Sequence, residues 1–503
     1  MSLLGIDVGT SGCKAAVFSE DGRMVALAYE EYDFQSPQPG WAELDSLKVW
    51  SLVKRTIGQA VAGAKADPVK AISVSSLAET VVPVTRDRRI LGPAPLSFDM
   101  RGQEYLEELR GSISDEKLYQ INGNTLGNNY SLTKLMWLKQ HQPALYQQTQ
   151  IFLPWGGFVA FMLGADASAD YSLANRTLLF DMERCDWSQE LLDLARLDRE
   201  KLPATLPCGE AIGSLASGIA AELGLPAGIP IVSGGHDQCC NGVGCGVLRP
   251  GQAFYGMGTY ICLTPVYGQR PETTLMIERG LNTEHHAAPG QYVSFLYNQG
   301  GVLVKWFRNT FAAAERQATQ ASGQDLYPAL LAEMPADLSR VMVLPHFTAT
   351  GPPKFITDSS GVLAGLKLET TRGEILKGLI EAMTFYTRAT FETLPGVGIH
   401  VADFRAVGGG SKSDAWIQIS ADILGRPFIR PKINEAGVLG AAILAGVGCG
   451  VFPSLEAGVQ TMVKLERTFE PDPKKQALYT ERFAKYQRLG PLMAEYLRDL
   501  EEK

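Results

Sequence analysis

The chain opens on Leu3-Leu4-Gly5-Ile6-Asp7-Val8-Gly9-Thr10-Ser11-Gly12, followed at once by Ala15-Ala16-Val17-Phe18. Two apolar runs flank a turn of small residues, which reads as strand, tight turn, strand. Ser19-Glu20-Asp21-Gly22 turns again into Met24-Val25-Ala26-Leu27-Ala28, so three antiparallel strands are expected at the start. Such a turn points backbone N–H groups outward and binds phosphate oxygens; Gly9 allows close approach, and Thr10 and Ser11 add hydroxyl donors. Asp7 tolerates phosphate only across a divalent cation, since carboxylate and phosphate repel, and Lys14 can offset triphosphate charge. An ordinary hairpin turn accounts for the stretch equally well on its own.

The pattern recurs in mid-chain. Ala253-Phe254-Tyr255 leads into Gly256-Met257-Gly258-Thr259, and Tyr260-Ile261-Cys262-Leu263 resumes a strand. With 503 residues, too many for one core, this suggests two related domains, 1–248 and 249–503. Gly258 and Thr259 then offer a second phosphate turn facing the first. Gly408-Gly409-Gly410-Ser411, between apolar residues 404–407 and a helix, is a third glycine-rich turn, where a helix N-terminus favours an anion or nucleotide edge. Helices are expected over about 132–194, after the Thr371-x-x-Glu374 capping box with Ile375, Leu379, Met383 and Tyr386 on one face, and from Trp416 to a stop at Gly425. A further helix of small residues, 434–447, suits close packing against backbone.

Short buried strands are expected at 71–75 and 230–233, the latter running into Gly234-Gly235-His236-Asp237-Gln238. Asp237 thus sits at a strand's carboxyl end, where α/β active sites gather. Phosphoryl transfer to an alcohol needs a group to take the hydroxyl proton, and a carboxylate serves. Asp237 is the candidate base and Gln238 a candidate for orienting the acceptor; the competing reading makes Asp237 a helix N-cap. His236 reads as a packing or supporting residue.

Composition narrows the classes. A net charge of -8 and pI near 5.5 argue against nucleic acid as a partner. The chain has no Gly-x-x-x-x-Gly-Lys-Ser/Thr loop, no strict Gly-x-Gly-x-x-Gly after a strand, and no protein-kinase His-Arg-Asp or Asp-Phe-Gly. Eight cysteines and six histidines show no metal spacing. No apolar run reaches the ~20 residues of a membrane span, and the start lacks a basic leader, so a cytoplasmic enzyme is expected.

In order along nearly the whole chain, the motifs resemble those of the FGGY family of carbohydrate kinases, within the actin/hexokinase/heat-shock ATPase superfamily. Asp7-Val8-Gly9-Thr10-Ser11 is similar to its first phosphate turn, Pro39-Gly40-Trp41-Ala42-Glu43-Leu44-Asp45 to its Gly-Trp-x-Glu-x-Asp segment, and Phe98-Asp99-Met100-Arg101 to its Trp-x-Asp-x-Arg. Asp237 falls on its base, Gly258-Thr259 on its second phosphate turn, and Gly361-Val362-Leu363-Ala364-Gly365-Leu366 on its C-terminal signature. Gly408-Gly409-Gly410-Ser411-Lys412-Ser413 resembles its adenosine-site turn, and residues 435–442 the helix after it.

The resemblance implies an α/β fold of two ribonuclease-H-like domains of actin/hexokinase type flanking a catalytic cleft. It implies ATP as co-substrate, held by Thr10, Ser11, Lys14, Gly258, Thr259, Gly408, Gly409, Gly410 and Ser413, with Mg²⁺ near Asp7 and Asp237. The acceptor side departs from the family. Ser76-Leu77-Ala78-Glu79-Thr80 replaces the Gln-Met-His of xylulose kinases and keeps only Glu-Thr of the Arg-Glu-Thr of glycerol kinases; residues 348–353 replace Gly-Glu-Arg-Thr-Pro; Phe98 stands for Trp. The expected acceptor is a ketose or polyol, recognised by Glu79, Asp99, Arg101 and Gln238. Another polyhydroxy metabolite or signalling molecule, or a non-catalytic ATP-binding sugar sensor, are the alternatives. A homodimer is compatible with the sequence.

Overall fold

The computed structural model describes residues 1–64, 67–348 and 360–501 (side chains of 320–322 and 501 excepted). The first sheet has strands β1 (Ser2–Val8), β2 (Gly12–Ser19), β3 (Met24–Glu31), β4 (Val69–Ser76), β5 (Ala211–Ser214) and β6 (Pro230–His236). They lie in the order β5-β6-β4-β1-β2-β3. The opening β1-β2-β3 meander is antiparallel, β4 and β6 add in parallel, and β5 closes antiparallel. β1 is covered on both faces, which is why its sequence is a continuous apolar run rather than an alternating one. Helices α1 (Ser46–Gly63) and α2 (Asp237–Gly244) belong to this half; Asp45 caps α1 by accepting from the Lys48 N–H at 3.0 Å.

The second sheet repeats the plan. Strands β7 (Gly251–Met257), β8 (Tyr260–Tyr267), β9 (Leu296–Gln299), β10 (Val401–Val407), β11 (Phe428–Pro431) and β12 (Leu465–Phe469) run β9-β8-β7-β10-β11-β12, and two short strands, Tyr292–Val293 and Glu284–His285, extend the sheet beside β8. The pairing pattern is the same: two antiparallel steps, two parallel, one antiparallel. The strand–turn–strand at residue 253 therefore opens a second copy of the topology that begins at residue 2. Its helices are α3 (Gly301–Phe311), α4 (Arg372–Phe391), α5 (Asp414–Leu424), α6 (Ala436–Gly448) and α7 (Pro473–Glu501). Thr371 caps α4 through the Glu374 N–H at 3.2 Å, worth about 1 kcal/mol, and Ile375, Leu379, Met383 and Tyr386 all turn into the core. α5 ends at Gly425, whose φ of +63° suits glycine.

α6 ties the halves together. It follows β11 of the second sheet, yet it packs on β1, β4 and β6 of the first and across α2. Contact is at backbone level: a Cβ on Gly5 would lie 1.9 Å from the Val438 carbonyl oxygen, and one on Gly440 1.9 Å from that of Cys240. A side chain at either position would force the elements apart, hence the small-residue composition.

Residues 132–194 hold the helices Ser131–His141, Pro143–Gln148, Trp155–Leu163 and Gln189–Ala195, with short strands such as Ile151–Pro154 between them. A segment of the second half beds against residues 123 and 175 of the first half. The Thr283 N–H donates to the Gly123 carbonyl at 2.8 Å, and the His285 N–H to Asn175 Oδ1 at 3.1 Å. All eight cysteines are free. No helix among the described residues is long and apolar enough to cross a membrane.

Candidate active site

The register of β1 builds the first part of the site. Asp7 is paired with Ser75 on β4 and with Lys14 on β2, so a hydroxyl and an ammonium flank one carboxylate. Ser75 Oγ donates to Asp7 Oδ1 at 2.7 Å; Asp7 Oδ2 makes no hydrogen bond among the described residues. Burial, then the nearby charge of Asp237, push Asp7 from an ordinary 3.8 to about 6, against the opposing pull of Ser75 and Lys14. Lys14 is itself engaged, 2.5 Å from Glu435 at the start of α6. The hairpin is closed by Gly9 N–H to the Gly12 carbonyl at 2.9 Å and braced by Tyr32, whose hydroxyl donates to the Gly9 carbonyl at 2.6 Å. Thr10 is half-buried and Ser11 exposed at the tip.

β6 supplies the second part. Gly234 lets it pass close to β4, since a Cβ there would meet the Val74 carbonyl oxygen at 1.8 Å. Asp237 is the first residue of α2 but not its cap; its Oδ1 accepts from Gln238 Nε2 at 3.0 Å and lies 3.1 Å from His236 Nε2. Buried His236 does more than pack. Burial works to lower its pKa, but the Asp237 carboxylate outweighs it and raises the group above its usual range. Gln238 is thus turned toward Asp237, where the sequence led us to expect it on the acceptor.

The glycine turns of the second half converge on one cavity of about 790 Å³, within the range of small-molecule sites. Gly258, Thr259, Gly409, Gly410 and Ser413 line it together with Lys305, Asp325, Tyr327 and Trp416. Gly408 (φ +94°) brings the third turn against the second, its Cβ direction pointing at Met257. Ser413 Oγ accepts from the Trp416 N–H at 3.2 Å and caps α5. Asp7, Thr10, Ser11, Lys14 and Gly408 are not part of the cavity wall.

Among the residues expected to meet the acceptor, Glu79 follows β4 with φ +60°, unusual for a residue with a side chain and a sign of local strain. Its Oε1 takes two hydrogen bonds from Arg176, one of them from Nε at 2.6 Å. Arg176 Nη1 donates to Glu284 Oε1 at 2.7 Å, and Asn282 Nδ2 donates to the same oxygen at 2.9 Å. Burial pushes the Glu284 carboxyl up while Arg176 opposes it. Asp99 and Arg101 need correcting. The sequence led us to expect both on a shared ligand, but they bind each other: Arg101 Nη2 reaches Asp99 Oδ2 at 2.6 Å and Glu43 Oε2 at 2.7 Å. The Ala42 N–H also donates to Asp99 Oδ2 at 2.7 Å, and the guanidinium lies 4.1 Å from the Trp41 ring centroid. Side-chain exposures of 0% and 3% bury both within this cluster. The replaced loop lies outside the described residues except at Thr348.

The N-terminal domain of the FGGY family of carbohydrate kinases matches residues 2–244, and its C-terminal domain residues 269–449. The chain belongs to this family. It is accordingly a carbohydrate kinase. An autoinducer-2 kinase from Escherichia coli K12 is 30% identical over 505 residues, covering 96% of this chain and 93% of that one. A glycerol kinase from Acidovorax sp. is 30% identical over 494 residues, covering 94% and 96%. The xylulose kinase of Rhodospirillum rubrum superposes with a TM-score of 0.87 at 24% identity, covering 99% and 100%; Plasmodium falciparum glycerol kinase with ADP gives 0.85 at 21%, covering 97% of each. These structures share the fold, two sheet-containing domains of the actin/hexokinase-type ATPase class. Within this FGGY kinase, Arg176, Glu284, Lys305, Tyr327 and Trp416 carried no motif in the sequence. Ser75 could have been found from strand register alone.

Proposed function

We propose that this FGGY kinase transfers the γ-phosphoryl group of ATP to a hydroxyl of a small ketose or polyol, with Asp237 as general base, in the cytoplasm. The observation that carries the reading is the meeting of two separate glycine turns, Gly258-Thr259 and Gly409-Gly410, on one nucleotide-sized cavity. Asp237 supports the base role through its asymmetry: Oδ1 already holds Gln238 and His236, which leaves Oδ2 to take the acceptor proton. The γ-phosphoryl group and the acceptor oxygen would meet between the first turn and the start of α2. Domain closure would then exclude water that could otherwise attack ATP.

Mg²⁺ fits beside Asp7. An unpartnered oxygen, a raised pKa and a neighbouring carboxylate together favour a cation. Mg²⁺ commonly takes one or two protein carboxylates and completes its shell with phosphate and water. When bound it would neutralise charge on the β- and γ-phosphates. Lys14, released from Glu435, would contribute a second positive charge.

A second reading, favoured by the relatives named autoinducer-2 kinase, makes the acceptor a small polyhydroxy signalling compound. A screen over ketoses, polyols, aldoses and such compounds, read as ADP release, tests both. One class should stand out. ATP turnover with no acceptor in the panel, and none dependent on Asp237, would overturn the proposal.

A further inference from the structure

We infer that the acceptor site is selective for uncharged polyhydroxy compounds and excludes aldonates and other carboxylate-bearing sugars, because the buried cation beside Glu79 is capped by a carboxylate from the other half of the chain. The inference rests on the functional reading above and narrows its substrate class. A buried site that accepted a sugar acid would favour a cation free to receive the carboxylate. Buried charge is tolerated only when paired.

Arg176 is the group placed to do this, and its charge is already matched by two carboxylates. Nε and Nη2 donate to Glu79 Oε1, and Nη1 donates to Glu284 Oε1. Its flat faces are covered too, by Tyr130 at 5.0 Å and Phe295 at 5.7 Å from the ring centroids. Arg101 is equally engaged by Asp99 and Glu43. Lys134, 2% exposed, donates to the Asn128 carbonyl, and burial draws it down to about 7. His236 is held by Asp237.

What remains for a ligand is negative or neutral. Glu79 is 14% exposed, and its Oε2 makes no hydrogen bond among the described residues. Two buried atoms close by also lack partners: Glu284 Oε2 and His236 Nδ1. Hydroxyl groups can satisfy all three, since each can both donate and accept. A carboxylate would face Glu79, Asp237 and Glu284, and among the described residues the cations here are already matched by carboxylates, Arg176 by Glu79 and Glu284 and His236 by Asp237. Glu284 is the determinant. It comes from the second half of the chain, seated among first-half residues by the Thr283 and His285 backbone bonds, and it is 1% exposed.

The test is calorimetric binding to the full-length protein. Four-, five- and six-carbon alditols and ketoses are each compared with the aldonate of the same length. The best neutral compound should bind at least about 100-fold more tightly than its aldonate, as expected when like charges are juxtaposed. In Glu284→Gln one cap is discharged, so the preference should fall at least about tenfold, with aldonate affinity rising. Equal affinities in the wild type would overturn the inference. An unchanged preference in a variant with wild-type circular dichroism would remove Glu284 as its cause. If the variant does not fold, the wild-type ratio decides alone. ADP release is recorded in parallel: selective binding of neutral compounds without turnover sinks the kinase reading and leaves the selectivity standing, whereas turnover of aldonates does the reverse.

Discussion

Replacing Asp7 with asparagine should make the ligand-free protein more stable and the enzyme nearly inactive. Burial and the charge of Asp237 hold Asp7 at about 6 when folded, against an ordinary 3.8 in the unfolded chain. Below about pH 3.8 the carboxyl is protonated in both states and the strain is absent. As pH rises the unfolded chain releases the proton first, so strain accumulates up to about pH 6 and is constant above it. At about 1.36 kcal/mol per pH unit, the displacement from 3.8 to about 6 caps the strain at about 3 kcal/mol. Asp7 keeps some exposed surface, so screening reduces this, and about 1–2 kcal/mol is the realistic gain. The substituted asparagine can still accept from Ser75 through its amide oxygen, so the native hydrogen bond is not lost. The assay is thermal unfolding of Asp7→Asn and wild type from pH 5 to 8, with chelator and no nucleotide. The variant's advantage in the first transition should grow between pH 5 and 6 and then level off at a few degrees. Adding Mg²⁺ and ATP should narrow the gap by stabilising only the wild type. A variant that is less stable at pH 8, or an advantage that does not change with pH, would refute the account of Asp7 as a strained carboxylate awaiting a cation.

Asp237→Asn should lower turnover by about 10²–10⁴ while ATP affinity stays within a few-fold; steady-state kinetics with a verified acceptor and calorimetry check both. Gly409→Leu should fold normally, since nothing lies within 4 Å of a Cβ there, yet lose ATP affinity by about 10–100-fold as the side chain fills the cavity and costs a charged hydrogen bond. Unchanged affinity would move the nucleotide elsewhere. Asp99→Ala should cost about 1–3 kcal/mol of stability by leaving buried Arg101 with Glu43 as its remaining carboxylate while leaving the acceptor KM near wild type, whereas Glu79→Ala should raise that KM more than the KM for ATP. A large KM effect at Asp99 with unaltered melting would restore it as an acceptor contact.

The two halves of the fold were legible because buried strands leave continuous apolar runs and their turns demand glycine. That is why the repeats at residue 2 and residue 253 could be matched. Capping and periodicity placed α4 and α5 for the same local reasons. The large cavity of the second half was legible only at its glycines: Lys305, Tyr327 and Trp416 reach it from helices whose sequences serve packing as well. Asp99 and Arg101 misled because a two-residue spacing suits a shared ligand and a mutual ion pair equally, and burial decides between them. The Glu79–Arg176–Glu284 cluster was invisible because its members are 97 and 108 residues apart, joined by folding alone.

The seat of α6 on the first sheet has a consequence for how the chain is made. The ribosome finishes that sheet at His236, but the helix that lies across β1, β4 and β6 is complete only at Gly448. At about 5–20 residues per second, synthesis leaves the uncovered apolar face waiting for roughly 10–40 s. The nascent first half must therefore stay loose or be sheltered until its cover arrives. A gene cut between the two topological repeats would yield a first piece without the helix that closes it.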